Sequence, residues 1–141
     1  MMAWIQSEQA LRNHPKTIKA ARLLNISKAE VIGYLHYLWW WAIDYAPDGD
    51  LSHYTRDDVE TALEWPGQQG ALYQALVDCG MGDKPGFIEM VNGKPVLHDW
   101  WQYGGKLVAK RQADAARKKD DRATSDGHPT DVQRTSNGRR R

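Results

Sequence analysis

The sequence predicts a mainly α-helical domain with one small β-hairpin, followed by a basic helix and a disordered tail. Three observations carry this expectation. Val31, Leu35, Leu38, Ala42 and Tyr45 recur at spacings of four, three, four and three, the period of a buried helix face. Asn92-Gly93, the strongest hairpin signal in the chain, lies between two short β-type runs at 87–91 and 95–100. Beyond Lys110 the helical composition offers only Ala as an apolar residue, and after Arg122 the chain is rich in Ser, Thr, Asp, Gly and Pro. Such a segment buries too little to order itself. The 141 residues suffice for one hydrophobic core and leave no room for a second.

Each element has a local cause. Pro15 suits the first position of a helix, where its missing N–H has no partner to lose, and Ile18, Ala21, Arg22 and Leu24 follow before Asn25 breaks the segment. Ser27 and Glu30 have the spacing of a capping box and open the long central helix. Ile32, Trp39 and Ile43 widen its core stripe, while Gly33, His36, Tyr37, Trp40 and Asp44 form the strip left for solvent. Pro47 and Gly49 stop this helix, and Leu51 is placed to begin a very short strand. Thr55 caps a third helix with Asp57 and Asp58 in its first turn and Val59, Ala62 and Leu63 inward. Trp65-Pro66-Gly67 turns the chain into a fourth helix from about residue 68, with Leu72, Leu76 and Cys79 on one face and Gly80 closing it. Asp99-Trp100-Trp101-Gln102 reads as a second capping box, opening a helix on which Trp100, Tyr103 and Leu107 are spaced to dock.

Helix, long helix, short strand, helix, turn, helix, hairpin is the order of a winged helix-turn-helix. Residues 55–79 would be the helix-turn-helix and 86–99 the wing. The expected organisation is a winged domain over 1–105, a basic helical extension over 106–122 and a disordered basic tail over 123–141.

Trp4-Ile5, His14-Pro15-Lys16, Leu38-Trp39, the run from Ala46 through Pro47, Asp48, Gly49 and Asp50 to Leu51, and His98-Asp99-Trp100 with Tyr103 form a pattern over roughly residues 3–120. It resembles the N-terminal winged-helix module of phage replisome-organiser proteins, the DnaD-like replication initiation proteins of phages and prophages. The resemblance implies a role in phage DNA replication initiation, through DNA binding, self-association and recruitment of host or phage replication proteins. Fuller members continue into a second domain that engages the helicase loader, where a disordered tail is expected here, so the resemblance is to a short form.

The charge distribution points the same way. Residues 1–105 hold 8 Lys/Arg and 13 Asp/Glu, a sum of −5, and residues 106–141 hold 11 Lys/Arg and 5 Asp, a sum of +6. Basic segments gain free energy by displacing counterions from phosphates, so DNA, double- or single-stranded, is the expected partner. The candidate helix-turn-helix is a poor base reader, because six carboxylates and no Lys or Arg lie between Arg56 and Lys84. Gln68, Gln69 and Gln74 are its only base-reading candidates. Cations lie elsewhere. Arg12, Lys16, Lys19 and Arg22 recur at spacings of four, three and three and are expected to share one face of the first helix. Lys106, Lys110 and Arg117 make a second row, with Arg111, Lys118, Lys119 and Arg122 beside it, and Lys94 sits in the hairpin. These rows suit phosphate contacts that do not read sequence. Trp39, Trp40 and Trp41 span about 200° of helix, so they cannot all face one core. Tyr37, Trp40 and Trp41 are the candidates for a protein interface.

Other classes find little support. No phosphate-binding Gly-rich loop is present, and Asp48-Gly49-Asp50 lacks the Glu that completes a calcium loop. His14, His36, His53, His98, His128 and Cys79 have no metal-ligand spacing, and Cys79 follows an acidic neighbour, Asp78. No enzymatic activity, cofactor or metal is expected. No apolar run reaches the ~18 residues of a membrane span, no signal peptide opens the chain, and the single cysteine fits a reducing compartment, so a cytoplasmic location is expected. Two alternatives remain open: a protein-interaction scaffold using the acidic helix-turn-helix, and a phage transcriptional regulator.

Overall fold

A computed structural model describes residues 7–125, apart from the side chains of residues 102, 103 and 123–125. The chain divides into two compact units, Met1–Val108 and Ala109–Arg141. The first is mainly helical with a two-stranded antiparallel hairpin. Its core reaches Val108, three residues beyond the expected boundary at 105, because Val108 is buried and Leu107 packs against the same cluster.

A 3-10 turn, Gln9–Asn13, leads into α1 (Pro15–Leu24), with Pro15 at the first position and His14 as N-cap. The His14 Nδ1 accepts a hydrogen bond from the Lys16 amide at 3.1 Å. Asn25 ends the helix in the left-handed region at φ 55°. Thr17, Ala20 and Ala21 are the buried face of α1, and these small side chains let the helix lie close to its neighbours. The larger Ile18 and Leu23 are exposed.

The capping box forms as expected at the start of α2 (Lys28–Tyr45): the Ser27 hydroxyl accepts from the Glu30 amide, and the Ser27 amide donates to the Glu30 carboxylate. Val31, Leu35, Leu38, Trp39, Ala42 and Ile43 are buried. Tyr45 departs from the expected stripe and is 60% exposed. The observed core set centres on Leu35 and Ala42, and Tyr45 lies roughly 80° around the helix from Leu35 at 3.6 residues per turn. It stacks instead on Trp41, with centroids 5.8 Å apart.

The capping box of α3 (Arg56–Ala62) joins Thr55 to Asp58. The fourth helix, α4 (Ala71–Asp78), starts three residues later than expected, after Gly70 at φ 86°. The delay has a tertiary cause. The buried Glu60 carboxylate accepts from the amides of Gly70, at 2.7 Å, and Tyr73, at 3.0 Å, and so caps α4 from α3. Strands β1 (Ile88–Val91) and β2 (Lys94–Leu97) pair through a turn in which Asn92 and Gly93 both take positive φ, the geometry a two-residue hairpin requires. The short strand expected at Leu51 is reduced to an isolated bridge between Asp50 and Val96.

The expected second capping box does not form. Asp99 sits at φ 54°, outside the extended region an N-cap occupies, and residues 101–105 form a π-helical turn. Trp100 determines this corner. Its indole N–H donates to the Pro47 carbonyl at 2.8 Å, and its ring lies against Gly49 and Gly104, where any Cβ would collide with it. Trp100 and Leu107 pack with the core, whereas the Tyr103 side chain lies outside the described residues. The last helix, α5 (Lys106–Ser125), begins in the first unit and supplies the described part of the second. It runs three residues past the point where disorder was expected, since its backbone ladder continues through Ser125. Residues 126–141, the rest of the expected tail, lie outside the described residues, as do Trp4 and Ile5. No helix among the described residues is long and apolar enough to cross a membrane.

Candidate nucleic-acid interface

The cations of the first row do not form one helix face. Arg12 lies in the 3-10 turn, and the extended His14 (ψ 138°) separates it from α1. Lys16 and Lys19 point toward the segment joining α4 to β1. The Lys16 ammonium donates to the Gly86 carbonyl at 3.2 Å and lies 5.3 Å from the Phe87 ring centroid. The Lys19 ammonium donates to the Gly80 carbonyl at 2.8 Å. These two side chains tie α1 to the connection between α4 and β1. Burial holds the Lys16 ammonium below the ordinary lysine range, against the pull of Asp99 and Glu89. Lys84 reinforces the lowering at both Lys16 and His14. The long stretch of chain between Lys16 and Lys84 carries no local sequence signal of this proximity. Arg22 remains exposed.

The α3–α4 region is bound into its own contacts. Gln69 donates to Asp57 at 2.6 Å, while Gln74 accepts from Arg56 at 2.7 Å and donates to Asp78 at 2.9 Å. The Arg56 guanidinium also lies 5.1 Å from the Tyr73 ring centroid. The two glutamines best placed to read bases therefore already have partners, and the nearest cation is engaged.

Lys94 is exposed at the start of β2, and the neighbouring Met90 and Val91 are exposed as well. In α5, Lys106, Lys110, Arg117, Lys118, Lys119 and Arg122 are exposed. Arg117 pairs with Asp114 at 2.7 Å, and Arg111 is also engaged. Beyond Val108 the helix has only Ala as an apolar side chain, and the remaining cations share its surface with Asp120 and Asp121.

The three aromatic candidates separate. Tyr37 and Trp40 are 44% and 47% exposed, with centroids 6.1 Å apart. Trp41 packs edge-on against Tyr54 at 4.8 Å and stacks on Tyr45, so it fastens the end of α2 to the following loop.

His98 Nδ1 lies 3.1 Å from a Glu89 oxygen and Nε2 lies 3.4 Å from an Asp99 oxygen, which fixes the ring at the foot of the hairpin. Burial pushes the Cys79 thiol up, away from the thiolate. No group of three or more His, Cys, Asp or Glu among the described residues is arranged to hold a metal ion. No family model matches the chain, and none of the curated proteins or solved structures compared with it matches either.

Proposed function

We propose that the protein is a winged-helix DNA-binding protein of the replication-initiation type, which holds DNA through phosphate contacts from α5. The carrying observation is the different fate of the cations: Lys16 and Lys19 are engaged by carbonyls of their own chain, whereas α5 keeps Lys110, Lys118, Lys119 and Arg122 exposed. A helix with cations at these intervals tracks a phosphate backbone without reading bases. The bridge of Asp50 to the hairpin edge supports the winged topology, since it places a third extended segment beside β2. The resemblance to phage replisome organisers supports a role in replication initiation, and that role is cytoplasmic. The test is a titration of random and mixed-sequence duplexes with the full chain at several salt concentrations. Affinity that is similar for all sequences and falls steeply with salt is expected. Salt-independent binding, or none, would overturn the proposal.

An interaction scaffold is the second reading, favoured by the exposed Tyr37 and Trp40 on the outer side of α2. Under that reading Trp40→Ala would abolish association with a protein partner and leave DNA binding unchanged.

A further inference from the structure

One groove on the first unit is lined by two residues that depart from local preference, Gly33 and Glu64. It has a volume of about 320 Å³ and is lined by Glu30, Gly33, Tyr34, Tyr37, Leu63 and Glu64. The buried Leu63 is apolar floor, Tyr34 and Tyr37 stand three residues apart on α2, and the two carboxylates lie on its lining.

Glu64 follows α3 at φ 57°, the left-handed position that glycine fills at no steric cost. Its amide donates to the Thr61 carbonyl and the Trp65 amide donates to the Glu60 carbonyl, the two bonds of a Schellman ending. The Glu64 carboxylate is exposed and has no hydrogen bond or ion pair among the described residues. Gly33 is the converse case. It lies inside α2, where glycine is the costliest residue after proline, and a Cβ there would meet nothing within 4 Å. Neither backbone strain nor close packing within the chain calls for glycine at this point. A Glu where glycine would carry no steric cost, beside a glycine where Ala would suit the helix better, marks a surface shaped for something outside the chain.

We propose that this groove binds an arginine side chain on a basic segment of a partner protein. The guanidinium lies against the Tyr34 and Tyr37 rings and is met by the Glu64 and Glu30 carboxylates. Glu30 retains capacity for this, because the Ser27 cap uses only its Oε1 oxygen. A planar, forked cation suits aromatic faces and carboxylates together, which a lysine ammonium does less well. The carboxylates repel phosphate, so nucleic acid is not the occupant. A polypeptide fits better than a free small cation because the surface continues. Trp65 packs edge-on against Tyr34 at 5.5 Å and also lines a second groove of about 290 Å³ with Asp57, Glu60 and Gln69. Residues flanking the arginine have this second groove to follow, although its Glu60 carboxylate is taken by the α4 amides and its Asp57 by Gln69.

The inference is independent of DNA binding, and its test uses the full chain. The probes are two fluorescein-labelled, end-blocked peptides, one alternating glycine with arginine and one alternating glycine with lysine, followed by anisotropy at low salt. Saturable binding of the arginine peptide is expected, with weaker binding of the lysine peptide. Glu64→Gln is expected to weaken the arginine peptide at least about fivefold, the scale of one charge-assisted hydrogen bond. Asp83→Asn removes an equal charge from an exposed turn away from the groove and is expected to change affinity by less than about twofold. Gly33→Ala is expected to raise the melting temperature while lowering peptide affinity, a split that a purely structural glycine would not give. Equal losses from Glu64→Gln and Asp83→Asn, or equal binding of the two peptides, would reduce the groove to a general acidic field and overturn the assignment. Self-association of the free protein that Glu64→Gln abolishes would make a second copy the occupant, which also overturns the assignment to a partner protein.

Discussion

Helices α1 and α5 carry similar rows of Lys and Arg, and their surroundings give those rows opposite fates. In α1 the face formed by Thr17, Ala20 and Ala21 is buried, so the adjoining lysines lie within reach of the carbonyls of Gly80 and Gly86. In α5 beyond Val108, Lys110, Arg117, Lys118, Lys119 and Arg122 stay exposed, with Asp114, Asp120 and Asp121 among them. A lysine beside a buried face becomes a fastening, because its stem packs along the fold while its ammonium donates to part-buried carbonyls. A lysine on a helix with no apolar face remains available to an outside anion. Helical spacing alone cannot separate the two cases.

The largest expected effect lies in the core of the first unit. Leu38 is fully buried, and Leu38→Ala should destabilise the fold by about 2–5 kcal/mol. Trp40→Ala, two residues away on the exposed side of the same helix, should cost about 1 kcal/mol or less. Denaturant melts giving the reverse order would show that α2 is rotated from the phase described. Next comes Glu60, whose carboxylate serves two α4 amides. Glu60→Ala should cost about 1–3 kcal/mol, since it leaves buried donors without acceptors, and hydrogen exchange should accelerate first at Gly70 and Tyr73.

Smaller effects sharpen the contrast between the two cationic rows. Lys19→Met keeps most of the side-chain stem and removes the bond to the Gly80 carbonyl, so it should destabilise by about 0.5–1.5 kcal/mol. Lys118→Ala has no such bond to lose and should change stability by less than about 0.5 kcal/mol. The smallest effect is pH-linked. Burial, aided by Lys16 and Lys84, lowers the His14 pKa, and the neutral ring is the form that accepts the Lys16 amide. The unfolded chain therefore binds the proton more readily. The stability contributed by this cap is complete above the ordinary histidine pKa of about 6.5 and is lost as pH falls through the lower folded value. His14→Asn keeps a cap that does not titrate, so its melting temperature relative to the parent should rise as pH falls from 7 to about 5.

What was legible in the sequence is what neighbouring residues decide among themselves. Ser27 with Glu30, Thr55 as an N-cap, Pro15 at a helix start and Asn92-Gly93 between strands act over two to four positions, and each forms; that Asp58 closes a capping box with Thr55 appears only in the structure. The buried part of the α2 stripe follows from period alone up to Ala42. What failed depends on residues far apart in sequence. Asp99 has the spacing of a cap, but Trp100 is held by Pro47, more than fifty residues earlier, and the chain turns at Asp99 to deliver it. The α4 start is set by Glu60 across the α3–α4 turn. Within the candidate site, the rows in α1 and α5 were visible as charge, whereas the engagement of Lys16 and Lys19 was not. Nothing near either lysine in sequence announces a carbonyl 61 or 70 residues away. The groove at Gly33 and Glu64 was equally hidden, since its two lining elements meet only in the fold.

The division of labour between α1 and α5 is tested most directly by the salt dependence of DNA binding in two double variants, Lys16→Met with Lys19→Met and Lys118→Ala with Lys119→Ala. The α5 pair is expected to lower affinity for every duplex and to flatten the slope of log K against log salt by about 0.9 for each phosphate no longer neutralised, with an unchanged melting temperature. The α1 pair is expected to lower the melting temperature and leave the slope where it was. A slope flattened by the α1 pair and untouched by the α5 pair would contradict this division of labour.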